Sequence, residues 1–268
     1  MNDDCSSLKD MRMRKYRPCA MMFIEDQSAS YAAALAENPY NASPAAGGLL
    51  SVGNYEKLWL PGRTIKLRFM EPVSSDYLRA FLRAASNWLL HANLTFEVVT
   101  KGYADIRITT DTDDNKSLIG TDALTFEQSE ATFYLATPMD SESFKSTVIH
   151  EMGHALGFIH EHLHRDANIP WNREKVYEFY RDEYEWDKQR VDENVLNPFV
   201  GAIIDTQYDP KSIMHYPVPK ELTDGVWEIG QNTELSEQDK KLAAFAYPQD
   251  PDDRAWKDFP NVVNAAAI

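Results

Sequence analysis

Of the 7 histidines in this chain of 268 residues, three fall in one short stretch, His150-Glu151-Met152-Gly153-His154-Ala155-Leu156-Gly157-Phe158-Ile159-His160. On a helix, residues four apart share a face. His150 and His154 can therefore aim two imidazole nitrogens at one point, and zinc accepts such nitrogens at about 2.0–2.1 Å. His160 lies too far along the axis to join them on the same helix. Gly157 tolerates a positive φ, so the chain can turn back there and deliver His160 as a third ligand. Three protein ligands leave a place open for water, which marks a catalytic zinc rather than a structural one. Zinc lowers the pKa of that water towards about 7. Glu151, on the same helix, can take the water's proton and pass it to a leaving amine. A bare H-E-x-x-H is moderate evidence; the added Gly157 and His160 make coincidence a poor explanation. His162 and His164 read as surface or supporting groups, and His91 as an unremarkable helix end.

The elements that must position these residues follow from periodicity. Ser143 to Leu156 reads as the metal-bearing helix, ended by Gly157. Upstream, Thr64–Met70 alternates as a half-buried strand. Ser75–Ala92 places Tyr77, Leu78, Phe81, Leu82, Ala85, Trp88 and Leu89 on one helical face. Thr95–Thr100, Ala104–Thr110 and Ala131–Leu135 read as further strands. Downstream, Asn172 can cap a helix running to about Trp186, and a shorter one is expected near Arg190–Leu196. Tyr208–Pro219 is a loop with two prolines. Ser236 can cap a last helix that stops at Pro248. Strands and helices fill the first part of the body, helices and loops the second. The expected class is α+β, two subdomains with a cleft between.

Composition narrows the function. The net charge of −15 disfavours nucleic acid and anionic membranes as partners. Apolar runs fall short of the roughly 18 residues of a membrane span. Cys5 and Cys19 are the two cysteines, and both precede the body, so its core has no disulfide. Residues 1–54 read as an arm punctuated by Asn38-Pro39, Ser43-Pro44 and Gly47-Gly48, with one short helix at Tyr31–Glu37. Residues 55–250 form the body, and 251–268 a tail. The apolar stretch Cys19–Ile24 is too short for the core of a signal peptide.

The zinc stretch, followed about fifty residues later by Ser212-Ile213-Met214-His215-Tyr216, resembles the metzincin metallopeptidases and, within them, the astacin family. The Gly157-Phe158 pair and Glu161 strengthen that likeness, which spans roughly Leu58 to Pro248. The resemblance implies a metzincin-like catalytic domain. A twisted mixed sheet with helices forms its N-terminal subdomain, helix and loop its C-terminal one, and the active-site cleft lies between. It implies a secreted zinc endopeptidase acting on protein or peptide substrates, and a monomer is expected. Met214 would form an apolar floor beneath the metal. Tyr216 would be an extra ligand at rest that swings away and stabilises the oxyanion. The segment Ala131–Leu135 resembles the edge strand on which such enzymes lay an extended substrate.

The arm resembles the family's propeptide, since Phe23-Ile24-Glu25-Asp26 is similar to an element whose Asp blocks the zinc. Cys19 or Cys5 could block it instead as a thiolate, or the arm could simply pack on the body. In the family the residue matching Glu161 contacts the processed N-terminus. The missing body disulfides suggest a cysteine-poor, microbial-type relative. Arg173, Arg181 and Lys188 could line a specificity pocket or form solvated helix faces. The competing function is a catalytically silent zinc protein that acts by binding. Such a protein has no need of Glu151, which is present here.

Overall fold

The computed structural model describes residues 19–22, 24–42, 57–198 and 207–250. Cys5, Phe23, the junction of arm and body, and the tail lie outside them. The sheet is built from the alternating segments. In β1 (Thr64–Phe69), Ile65 and Leu67 are buried while Thr64 faces water. β2 (Thr95–Val98) and β3 (Ile106–Thr109) flank it in parallel, Leu67 pairing with Val98 on one side and Ile106 on the other. β5 (Phe133–Tyr134) continues the parallel set beside β3. β4 (Lys116–Ser117) runs antiparallel to β5 and closes the order β2-β1-β3-β5-β4.

Two details differ from the sequence reading. The segment Ala131–Leu135 holds the interior strand β5; the edge facing the cleft is β4, continued by Leu118. β3 is also buried on both faces. Arg107 is enclosed because its guanidinium reaches the carbonyls of Ala104, Asp105, Ala123, Phe126 and Glu130. Asp105 is enclosed because it accepts from Arg63 and from the Lys66 amide. A buried charge is tolerable when its hydrogen-bonding capacity is filled in this way.

Helix α2 (Ser75–Ala85), capped by Ser74, buries Phe81, Ala84 and Ala85 and packs against α3 (Phe144–Ala155). One core joins Ile65, Leu67, Trp88, Val148, Met152 and Leu156 to Ala243 and Ala246 of α6 (Glu237–Ala246). Beyond α3, Asn172 caps α4 (Arg173–Tyr184). The short α5 (Lys188–Val191) then continues into a π-turn, Asp192–Leu196. Val176, Tyr180, Trp186, Val191 and Val195 make a second core there, and it includes Tyr216 and the arm residues Cys19 and Ala20.

The arm builds more than its punctuation suggests. Asp26 caps α1 (Gln27–Glu37), whose Ala34 is fully buried. Ser30 Oγ donates to the buried Asp122, which also holds Lys57 Nζ at 2.6 Å. The Asn41 side chain pairs with Leu58 as a backbone would, donating to its carbonyl at 2.9 Å and accepting from its amide at 3.1 Å. Side-chain amides thus satisfy main-chain groups that the sheet leaves open. None of the described helices is long and apolar enough to cross a membrane.

Candidate metal centre

The metal-bearing helix ends where its sequence requires. The Phe158 amide bonds to the Gly153 carbonyl and the Gly157 amide to that of His154, a Schellman ending. Gly157 has φ +98°, and a Cβ there would meet Leu58 Cδ2 at 2.9 Å. The last carbonyls are taken by neighbours: Trp59 Nε1 donates to Ala155 at 2.8 Å, and the Tyr247 hydroxyl donates to Leu156. Trp88 Nε1 holds the Ile149 carbonyl at 2.8 Å.

On this fixed helix each ring is oriented by its far nitrogen. His150 Nδ1–H donates to the Ile213 carbonyl at 2.7 Å, and His154 Nδ1–H to that of Phe158 at 2.8 Å. Their Nε2 lone pairs are left to face inward. His160, returned by the turn at Gly157, brings its Nε2 to 3.0 Å from that of His154. His150 Nε2 is buried with no hydrogen-bond partner among the described residues. Cys19 Sγ joins from the arm: one donor atom from each of Cys19, His150, His154 and His160 falls within 4.8 Å of the others. Four such atoms, three imidazole nitrogens and a thiol sulfur, are ligand types that zinc takes in a four-coordinate site.

The electrostatics agree with a metal site. Burial holds His150 neutral, bringing its pKa down to about 4, and takes His154 and His160 well below the usual histidine range. Neutral imidazole is the form that ligates. Burial pushes Glu151 up to about 8, opposed by the hydrogen bond it accepts from Cys19 Sγ at 3.2 Å. Burial, then the Glu151 charge, pushes the Cys19 thiol up. A divalent cation would reverse that balance, because its charge exceeds every other in the site.

The remaining candidates fall as follows. Met214 is buried beneath the helix, and Gly153 makes room for it: a Cβ at 153 would lie 2.4 Å from Met214 Sδ. The turn at Met214 is fastened to the third-ligand segment by the Glu161 amide, which donates to the Met214 carbonyl at 3.0 Å. The Glu161 carboxylate accepts from the Asp209 amide at 2.7 Å. Tyr216 is fully buried, with its ring centroid 4.4 Å from that of His160 and stacked on His162 at 4.2 Å. His162 and His164 are buried, not on the surface, and His162 supports Tyr216. Asp26 is engaged as the α1 cap, accepting from Ser28 and Ala29, so Cys19 and not Asp26 joins the histidines.

The cavity at Glu151 is lined also by Ser146, Thr147, Ile213, His215 and Gln231, with no Lys or Arg among its described lining residues. Arg173 pairs with Asp192, Arg181 with Asp182, and Lys188 sits over Tyr177, so each is engaged at its own helix surface. Gly153, Trp59 and Trp88 escape a reading based on ligand types. A glycine inside a helix is the one signal among them, since it usually has a packing reason.

Comparison with known proteins places this geometry. The peptidase family described as Astacin matches residues 51–248. A solved structure of myroilysin is 36% identical, with a TM-score of 0.67, covering 72% of this chain and 97% of that one. A second myroilysin structure is 30% identical, with a TM-score of 0.55, covering 87% and 100%. High choriolytic enzyme 1, a hatching enzyme zinc-protease from the medaka fish Oryzias latipes, is 18% identical with a TM-score of 0.50, covering 84% and 98%, and shows the shared fold. With His150, His154 and His160 close enough together to hold a metal and the family match spanning most of its length, this chain belongs to the astacin family of zinc metalloendopeptidases.

Proposed function

We propose that the chain cleaves peptide bonds with a water activated at His150, His154 and His160, and that its own arm holds it latent through Cys19. Zinc bound by the three histidines supplies the positive charge that acidifies a water and polarises the scissile carbonyl. Glu151 takes the water's proton and returns it to the leaving amine. Tyr216, stacked on His162, would serve as an extra ligand at rest and, on substrate binding, would turn to donate a hydrogen bond to the oxyanion. Met214 floors the site without ligating.

What carries the reading is the convergence of three Nε2 atoms whose far nitrogens are oriented by Ile213 and Phe158 in two of the rings, with Glu151 beside them. Latency is supported by Cys19, which stands where the water must sit and hydrogen-bonds Glu151. Residues 1 to about 54 are thus the propeptide in this reading, 55–250 the catalytic domain and 251–268 a tail.

Peptide-library cleavage tests the hydrolase, comparing wild type, Glu151→Ala and chelated protein. Cleavage should vanish in the last two; equal digestion by wild type and Glu151→Ala sinks the mechanism. Zinc content alone would not separate the enzyme from a silent binder. Removing residues 1 to about 54, or Cys19→Ala in the full chain, should raise activity, and unchanged activity ends the latency proposal.

A further inference from the structure

Asn194 sits in the π-turn Asp192–Leu196 and is 4% exposed. Single π-turns are rare and often mark functional positions. Its Nδ2 donates to the Arg190 carbonyl at 2.9 Å, which fixes the amide's orientation and turns Oδ1 towards the cleft. There Oδ1 accepts from the Met21 main-chain amide at 3.0 Å. The neighbouring residue, Met22, pairs with Leu118 at the end of edge strand β4. Successive residues of an extended chain face opposite ways. The arm backbone is therefore gripped on one side by Asn194 and on the other by the sheet edge, two to three residues from the cysteine that reaches the metal site. Asn194 is tied to that site as well, because its carbonyl accepts from His162 Nε2 at 2.8 Å and His162 stacks on Tyr216.

A peptide can be cut only if its backbone passes within reach of Glu151, which Cys19, two residues before Met21 on the same arm segment, touches at 3.2 Å. When the arm leaves, Asn194 Oδ1 loses this donor and is left as an oriented acceptor on the cleft wall. The amide N–H of another extended polypeptide entering the cleft can take the same place, and burial under that peptide strengthens the bond. We infer that Asn194 is a substrate-positioning residue, accepting one main-chain N–H of the bound peptide from the wall opposite Leu118. The inference rests on the reading above, that the arm occupies the substrate's path.

The test uses the full zinc-loaded chain carrying Cys19→Ala and a series of peptides in which single amides away from the scissile bond are replaced by esters, which removes one N–H at a time. At one position the ester should lower kcat/KM about tenfold, the scale of one lost hydrogen bond to a buried acceptor. In Asn194→Ala that same replacement should cost nothing, whereas Asn194→Asp, which keeps an acceptor, should retain part of the penalty. Every peptide competes with the same arm, so these ratios are independent of how tightly the arm binds. Ester penalties that are identical in wild-type Asn194 and Asn194→Ala backgrounds at every position overturn the inference while leaving the hydrolase intact. Failure to cleave any parent peptide overturns the hydrolase reading, and this one with it.

Discussion

A methyl group added at residue 153 would land 2.4 Å from Met214 Sδ and 3.0 Å from Trp88. The thioether is flexible, so the helix need not break, but the floor beneath the histidines must shift. Gly153→Ala is expected to cost about 1–3 kcal/mol, the usual range for overpacking, read as a lower Tm, together with reduced kcat. An unchanged Tm and activity would mean that Met214 moves aside freely. A second residue-scale expectation concerns His215, which donates from Nδ1 to the Tyr216 carbonyl and accepts at Nε2 from the Tyr208 hydroxyl at 2.8 Å. The bond accepted from Tyr208 needs the neutral ring, and burial brings the pKa down to about 4, opposed by the bond donated to the Tyr216 carbonyl. The folded value is depressed, so the unfolded chain takes up this proton first. Stability is fully present above about 6.5 and is lost as pH falls towards 4. The gap is worth about 3 kcal/mol at its upper limit. Denaturant unfolding from pH 7 to 4 should show a shallower loss in His215→Gln than in wild type; parallel curves would remove His215 from the account.

At the scale of elements, α6 shows what is legible locally and what is not. Its start is written as Ser236-x-x-Asp239, and both bonds of that capping box form. The same Asp239 carboxylate also accepts from Ser212 Oγ at 2.6 Å and from the Ile213 amide at 2.8 Å. Ile213 in turn offers its carbonyl to His150 Nδ1. The first turn of α6 therefore orients the ring of His150, a ligand in the proposed metal site. Asp239→Asn should weaken zinc binding about tenfold or more, as loss of outer-shell support commonly does, measured by chelator competition, with helix content little changed. Unaltered zinc affinity would confine Asp239 to capping. The cap signal spans four residues and can be read in the chain, as can the periods of β1 and α2 and the spacing of the three ligands. The Asp239–Ile213 link joins segments far apart in sequence, and no local pattern announces it. β4 and β5 have two residues each, too few for a period; β5 is legible because Phe133 and Tyr134 are aromatic strand formers, whereas the polar Lys116–Ser117 of the edge strand carries no such signal. Arg107 misleads for a related reason: alternation marks it as outward, but carbonyls contributed by distant loops enclose it.

At the scale of the whole molecule, the arm is held at two separate places. Cys19, Met21 and Met22 engage the cleft. Farther on, Ser30 bonds Asp122, Glu37 pairs with Arg63 at 3.1 Å, and Asn38 and Asn41 bond the main chain of Leu58 and Trp59. None of these contacts involves residues 43–56, which join arm to body. Cutting the chain there removes the tether and leaves every one of these contacts in place, so on the latency proposed above it turns a covalently attached inhibitor into a bound one. Each buried hydrogen bond contributes about 1 kcal/mol, and burial of Cys19, Ala20, Met21, Ile24 and Ala34 adds apolar area. What is lost is the high effective concentration that a short tether provides. A protein nicked within 43–56 should therefore keep its arm on gel filtration and remain largely latent at micromolar concentration. Activity should then rise on dilution, as in a bimolecular dissociation. A synthetic peptide spanning residues 19–42 should inhibit the activated enzyme in trans. Asn41→Ala, which removes three side-chain hydrogen bonds, should shift the dilution midpoint to higher concentration about tenfold or more. Full activity at the moment of nicking, with the arm separating at once, would show that the tether and not the docked surface maintains latency.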